Sequence, residues 1–281
     1  MPQLVALAVS IGVLGGIATF LFLQFMTHYL IWAAFIAWGC YFHCGGNAEI
    51  QRRFGSQAWV PDVSVEIVRQ WDEERLTYRA TDQTCERFTV TGGVRAGGEI
   101  WLGDRPWQAW STPGHDPDAL VFFEPRSRVL IAGDALWRDR LAIVFPELAG
   151  ADGFGSVRET LAAIESLAPN LVIPGHGAPF SDVAEALQAS RQRLASFERA
   201  PEKHFGYALR ALVMFHMLEH RRRPRVDLTE WMAQAPVLLR GRDSLALDRK
   251  RVDRMIDASL ERLLAEGQLA LDGADLVVAS K

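Results

Sequence analysis

The first fifty residues almost lack charge, and this constrains the fold more than any other feature of the sequence. Glu49 is the sole Asp, Glu, Lys or Arg between residues 1 and 50. Residues 4–26 form an apolar run, and a helix of about 20 such residues is long enough to span a bilayer. The segment therefore predicts a membrane helix, with a buried helix of a soluble protein as the alternative.

A second apolar run, residues 30–42, follows after a short polar break. It is too short for a comfortable span, so it predicts a short or re-entrant membrane segment or a buried β-strand. Arg52 and Arg53 come next, and basic residues favour the cytoplasmic side of a membrane. We therefore predict a membrane attachment through residues 4–42 and a cytoplasmic location for the soluble part.

Charge and cysteine content limit the classes of partner and compartment. The chain of 281 residues has a net charge of -4, which by itself does not indicate a polyanionic partner. Cys40, Cys44 and Cys85 are too few and too unevenly spaced for a disulfide framework, which favours a reducing compartment.

Residues 99–200 alternate between strand-like and helix-like patterns. A capping box from Ser156 to Glu159 predicts a helix start, and Ser181-Asp182 begins a second helical pattern. Short strands are predicted at 99–102, 107–111, 120–123, 129–132 and 171–173. The order predicts a layered α/β domain over residues 43–200.

The last part of the chain, residues 201–281, has a different pattern. Three helical stretches at 205–218, 228–233 and 249–266 precede a hairpin at 268–279, whose turn is Asp272-Gly273. This order predicts a winged-helix domain. We therefore expect three parts, at 1–42, 43–200 and 201–281.

Three potential metal ligands each follow a predicted strand. His115 follows residues 107–111, Asp134 follows 129–132, and His176 follows 171–173. The ends of neighbouring strands meet at one edge of a sheet, where binding sites are commonly built. Imidazole and carboxylate groups together suit zinc or another divalent metal.

The segments that carry these residues read TPGHDPDALVFF, VLIAGDALW and VIPGHG. In this order and spacing they resemble the later metal motifs of metallo-β-lactamase-fold hydrolases. The resemblance implies an αββα sandwich that holds up to two zinc ions. It further implies that His115 binds the first ion, that His176 binds the second, and that Asp134 bridges both ions and the attacking water.

The first metal motif of that family, HxHxDH followed by Gly-Gly, is incomplete. Residues 44–47 fit the glycine segment, so His43 stands at the last histidine. Phe42 then replaces the aspartate, Cys40 the second histidine and Trp38 the first. Phenylalanine and tryptophan bind no metal, whereas a cysteine thiolate can. The resemblance therefore implies His43 as a ligand of the second ion and leaves Cys40 as a further candidate ligand of the first.

Residues 1–46 more weakly resemble a family of small bacterial inner-membrane proteins with apolar, Gly-rich helices. In the hydrolase family several strands precede HxHxDH, and here the apolar segment takes their place. The fold class we predict is thus α/β: an incomplete metallo-β-lactamase sandwich between a membrane-type segment and a winged helix. A gene fusion, a rearrangement or a faulty gene boundary gives such a sequence; a gene-boundary artefact would leave a cytoplasmic protein.

Three functions are consistent with these features. The first is a metal-dependent hydrolase that cleaves a small ester, thioester or amide, with activity impaired by the incomplete motif. The second is a non-catalytic, membrane-anchored remnant or fusion product. The third is a hydrolase of nucleic acids, in which the basic run at Arg221–Arg225 contacts phosphates; a solvated loop is the alternative for that run.

Overall fold

The structure is a computed structural model that describes residues 46–279. The predicted membrane segment at 4–42, together with Cys40 and His43, lies outside the described residues. Within residues 46–279, no helix is both long and apolar enough to cross a membrane.

The described residues divide into two compact units. The first unit comprises residues 46–78, 84–146 and 152–194. The second comprises residues 79–83, 147–151 and 195–279.

A five-stranded sheet forms the centre of the first unit. Its strands are β3 (Glu99–Leu102), β4 (Arg105–Ser111), β5 (Leu120–Glu124), β6 (Val129–Gly133) and β7 (Leu171–Pro174), in that spatial order. Neighbours are antiparallel except β6 and β7, which are parallel. Every residue of β5 is buried, as expected for a central strand. All five strands predicted from the sequence are confirmed within one or two residues.

The region before the sheet folds around an apolar cluster that the sequence patterns did not predict. It contains α1 (Asn47–Phe54), β1 (Ala58–Pro61), α2 (Val65–Gln70) and β2 (Val90–Val94), with the short α3 (Tyr78–Thr81) at the unit boundary. Strands β1 and β2 pair in parallel as a separate two-stranded sheet. The amide of Gln51 on α1 exchanges two hydrogen bonds with the backbone of Thr89, 2.6 and 2.8 Å long. This exchange fixes α1 to the chain just before β2.

Helix α5 (Gly153–Leu167) follows the short α4 (Phe145–Leu148) and begins earlier than the capping box predicted. Its N-cap is Asp152, whose carboxylate accepts a hydrogen bond from the Gly155 N–H at 2.7 Å. Ser156 lies inside the helix, and its hydroxyl donates to the Asp152 carbonyl. The prediction of Ser156 as the cap is therefore wrong. The Asp152 carboxylate accepts a hydrogen bond from an N–H in the first turn that has no partner within the helix. The helix therefore starts one turn before the position that Ser156 predicted.

The second unit contains four helices and a small antiparallel sheet among its described residues. The helices are α7 (Pro201–His220), α8 (Arg225–Gln234), α9 (Pro236–Ser244) and α10 (Arg249–Ala265); α6 (Val183–Arg199) enters it from the first unit. The sheet has the order β8 (Arg222–Pro224), β10 (Asp275–Val278), β9 (Leu269–Asp272). The three predicted helices and the hairpin are confirmed, whereas α9 and β8 were not predicted.

The Asp152 cap makes the first testable prediction. Replacing Asp152 with Ala removes the acceptor for Gly155, and loss of such a cap costs about 1 kcal/mol. We expect a lower midpoint of urea unfolding for Asp152→Ala. The control is Ser156→Ala, which keeps the cap and should unfold near the wild-type midpoint. Equal effects of the two changes would contradict the assignment of the cap.

Candidate metal centre

A short loop after β4 brings His115 to the sheet edge, and helix α5 supports that loop. The Thr160 hydroxyl of α5 donates to the Pro113 carbonyl at 2.7 Å. Gly114 has φ +150°, and a Cβ there would stand 2.7 Å from a methyl carbon of Val157. Only glycine allows the loop to pack this closely on the helix. The imidazole of His115 is therefore held in one place, with 9% of its side chain exposed.

One backbone contact determines which nitrogen of the His115 ring carries the hydrogen. Its Nδ1 lies 2.5 Å from the Ile143 carbonyl oxygen. A carbonyl can only accept, so Nδ1 carries the hydrogen and donates it. The other nitrogen, Nε2, lies 3.4 Å from Oδ2 of Asp134. Such an orientation, with Nδ1 anchored to a carbonyl, is common for histidines whose Nε2 binds a metal.

Asp134 follows β6 directly and lies between the two histidines. Its side chain is 3% exposed. Oδ2 faces His115, while Oδ1 lies 3.8 Å from Nε2 of His176. The two oxygens of one buried carboxylate thus each face a different imidazole.

His176 reaches this carboxylate because β6 and β7 come very close at their ends. The Gly175 N–H donates to the Gly133 carbonyl at 2.6 Å. A Cβ on Gly175 would lie 2.5 Å from Oδ1 of Asp134, closer than real Cβ atoms approach. Gly133 itself has φ +51°, a left-handed conformation that glycine adopts without strain. The two glycines therefore let the backbone turn beside the carboxylate.

The spacing of these atoms fits a metal ion between each histidine and the carboxylate. Two ligand atoms about 2.1 Å from a tetrahedral zinc stand about 3.4 Å apart. The two gaps between nitrogen and oxygen, 3.4 Å at His115 and 3.8 Å at His176, are close to that value. Asp134 directs one oxygen toward each imidazole, and each pair of an imidazole and an oxygen forms one half of the candidate centre.

Neither half of the centre is complete within residues 46–279. No group of three or more His, Cys, Asp or Glu side chains in that range is placed to hold one ion. Each half has one imidazole and one carboxylate oxygen, whereas a catalytic zinc commonly has three protein ligands. His43 and Cys40, predicted as further ligands, lie outside the described residues and stay predictions.

A small cleft, partly open to solvent, lies beside His115 and Asp134. Its remaining lining is formed by small and apolar residues at the ends of β4, β5 and β6, namely Thr112, Ala119, Leu120, Ala132, Gly133 and Ala135. The cleft thus adjoins the His115 half of the centre.

Three further residues lie beside the centre. The ring centroid of Phe145 is 5.3 Å from that of His115. Asp116 accepts a hydrogen bond from the Asp118 N–H at 2.8 Å. Trp137 donates from Nε1 to Oδ1 of Asp134 at 3.0 Å. Its position three residues after Asp134 was visible in the sequence, but the direction of its ring was not.

Two known families match parts of this chain. Residues 43–176 match the Metallo-beta-lactamase superfamily. The match ends on His176 and includes all three residues of the centre. It supports a metallo-β-lactamase-like domain in this part of the chain. Residues 8–53 match a second family, described as a protein of unknown function (DUF1097).

A curated relative supports the same domain. The chain is 27% identical over 143 residues to the probable metallo-hydrolase YqjP of Bacillus subtilis (strain 168). The aligned segment covers 49% of this chain and 44% of that protein, so less than half of the relative's length is matched.

Solved structures with similar folds were also found. A metallo-beta-lactamase family protein from Thermus thermophilus has 17% identity and a TM-score of 0.44, over 84% of this chain and 76% of that one. TTHA1623, solved in a di-iron-bound form, has 23% identity and a TM-score of 0.40, over 51% and 69% of the respective chains.

The contact between Gly175 and Asp134 generates the second prediction. Gly175→Ala places a Cβ against the Asp134 carboxylate and the Gly133 backbone. Overpacking of this kind costs about 1–3 kcal/mol, so we expect a lower thermal unfolding temperature. The control is Gly206→Ala, whose Cβ would meet only the flexible ends of Met255, at 3.6 Å, and Arg210. If Gly175→Ala is as stable as the wild type, the close approach of Gly175 to Asp134 does not require glycine at this position.

Proposed function

We propose that the protein is a metal-dependent hydrolase of the metallo-β-lactamase type, in which Asp134 bridges two metal ions. The observation that carries this proposal is the buried Asp134 carboxylate, which faces His115 with one oxygen and His176 with the other. The family match over residues 43–176 supports the same chemistry. Zinc is the proposed metal, because nitrogen and oxygen ligands at these spacings suit it.

Each residue of the centre has its own role in the proposed hydrolase. His115 would hold one ion through Nε2, and its ring is fixed by the Ile143 carbonyl. His176 would hold the other ion, and the larger exposure of its side chain, 42%, places that half nearer to solvent. A bound zinc ion would supply a Lewis acid that lowers the pKa of bound water. Asp134 would contribute one oxygen to each half and would orient that water. His43 would supply a further ligand to the His176 half, and Cys40 is the further candidate for the His115 half.

The proposed substrate class is a small ester, thioester or amide. A zinc ion bound at the centre would supply the Lewis acid that hydrolysis of such a carbonyl group needs. The metallo-hydrolase description of the Bacillus subtilis relative is consistent with hydrolysis but names no substrate. The fold hosts many chemistries, so the substrate class rests on the site rather than on the fold.

We further infer that residues 201–281 form a winged-helix domain. The order of three helices and a hairpin supports this inference, with α9 and β8 as additions. A role in binding nucleic acid is not favoured, because two of the four arginines in the basic run already have carboxylate partners. Arg222 is paired with Asp272 and Asp275, and Arg225 with Glu261.

We also propose that residues 4–42 attach the chain to a membrane, with the rest on the cytoplasmic side. The uncharged sequence of this segment supports the proposal. Extraction of the protein from membranes by detergent, but not by alkaline carbonate, is the expected result. Release by carbonate alone would contradict the attachment.

Metal content and activity test the proposed hydrolase and form the third prediction. We expect about two zinc ions per chain by elemental mass spectrometry, with ester hydrolysis lost in chelator and restored by zinc. Asp134→Asn should lower metal affinity by more than about 100-fold, since outer-shell partners alone contribute about 10–100-fold. The matched control, Asp139→Asn, changes an exposed carboxylate that lies further along the same loop.

The alternative of a non-catalytic remnant gives the opposite result in the same measurement. A folded wild-type chain that binds no metal and hydrolyses no ester would overturn the proposed hydrolase and favour the remnant.

Restoring the first motif makes the fourth prediction. The triple change Trp38→His, Cys40→His and Phe42→Asp recreates HxHxDH before Cys44. If that loop adjoins His115 and His176, added imidazole and carboxylate ligands should raise zinc affinity in a competition titration. Unchanged affinity would place the loop away from the centre.

A further inference from the structure

Trp137 makes two contacts with the candidate metal centre at once. Its indole N–H donates to Oδ1 of Asp134 at 3.0 Å. Its ring stands nearly perpendicular to the His176 imidazole, at an interplanar angle of 77°, with the centroids 4.9 Å apart. One side chain therefore touches both the bridging carboxylate and the ligand of the second half.

The turn after β6 explains why the indole points to the centre. The Ala135 N–H donates back to the Ala132 carbonyl at 3.0 Å, which folds the chain directly after Asp134. Leu136 is 1% exposed and anchors the turn in the core. Trp137 is the next residue and remains partly exposed. Its direction is thus set by a hydrogen-bonded turn and a buried neighbour.

The hydrogen bond makes the two oxygens of Asp134 unequal. A carboxylate oxygen has two lone-pair directions, so Oδ1 can accept from the indole and still coordinate a metal. Oδ2 has a different neighbour, the His115 imidazole. A fixed donor on Oδ1 stops the carboxylate from rotating about its Cβ–Cγ bond, which would exchange the two oxygens.

The chemistry of tryptophan is needed for both contacts. Phenylalanine would keep a ring beside His176 but has no donor. Asparagine would donate but has no ring to pack against the imidazole. Indole combines an N–H donor with a large aromatic face. Both contacts end on a residue of the centre, so they act on the ligands rather than on a substrate.

We propose that Trp137 is a positioning residue that holds the Asp134 carboxylate and the His176 imidazole in the orientations needed for metal binding. This rests on the proposed metal-dependent hydrolase. Partners of this kind around metal ligands typically contribute about 10–100-fold in metal affinity. Trp137→Phe removes the donor only, whereas Trp137→Leu removes the donor and the aromatic face, so the two variants separate the contributions.

The first arm of the test uses the metal-free full-length chain. The chain has nine tryptophans, and with ¹⁵N-labelled indoles the resonance of Trp137 is assigned by its loss in Trp137→Phe. We expect Asp134→Ala to move this resonance upfield, because a charged acceptor is removed. Trp231, which donates to Asp82 in the second unit at 2.8 Å, serves as an internal control whose resonance should stay in place.

The second arm titrates the metal-free chain with Co²⁺ and follows the visible absorption spectrum. Trp137→Phe should bind Co²⁺ about tenfold more weakly, and Trp137→Leu about 100-fold more weakly, each with an altered spectrum. Trp101→Phe is the matched control, since Trp101 lies on β3 with 68% exposure. It should bind Co²⁺ as the wild type does.

The outcomes separate the two proposals. The role of Trp137 is overturned if its indole resonance does not shift in Asp134→Ala. It is also overturned if Trp137→Phe binds Co²⁺ with wild-type affinity and spectrum. A wild-type chain that binds no Co²⁺ overturns the proposed hydrolase instead. In that case the indole resonance alone decides whether Trp137 positions Asp134.

Discussion

The centre depends on the close approach of two backbone turns beside one buried carboxylate. The Gly175 N–H bonds the Gly133 carbonyl, and no Cβ fits between Gly175 and Asp134. This contact joins the ends of the parallel strands β6 and β7, so it sets the distance between Asp134 and His176. Burial of a carboxylate is costly unless its oxygens have charged or donating partners. The indole N–H of Trp137 supplies one such partner.

Contacts further from Asp134 hold the elements that carry the candidate ligands. Thr160 and Val157 of α5 hold the loop of His115, and the Ile143 carbonyl fixes the His115 ring. Asp152 in turn caps α5 at its start. Ligand geometry is therefore supported by ordinary capping and packing rather than by strain. Each imidazole approaches a different oxygen of Asp134, an arrangement suited to a bridging ligand.

Much of this architecture follows from local sequence patterns, and the rest follows from contacts between distant residues. Strands β3 to β7 were predictable from β-branched and aromatic runs bounded by turn residues. The candidate ligands His115, Asp134 and His176 could be recognised because each lies shortly after a strand. The exchange between Gln51 and Thr89 was not, since it joins residues 38 positions apart. The cap at Asp152 was missed because a second capping signal, at Ser156, follows one turn later.

The incomplete first motif lies where two family matches meet. The matches to DUF1097 and to the Metallo-beta-lactamase superfamily overlap at residues 43–53. Helix α1 begins inside this overlap and is fixed through Gln51 to the first unit. The described part of the overlap therefore packs with the hydrolase-like unit.

X-ray absorption of the zinc-loaded full-length chain tests the bridging role of Asp134 most directly. Two ions held by one carboxylate should give scattering from imidazole rings together with a metal–metal vector of about 3.5–4 Å. The vector should vanish in Asp134→Asn while scattering from the rings remains. A wild-type spectrum without that vector, or one that Asp134→Asn leaves unchanged, would contradict the account.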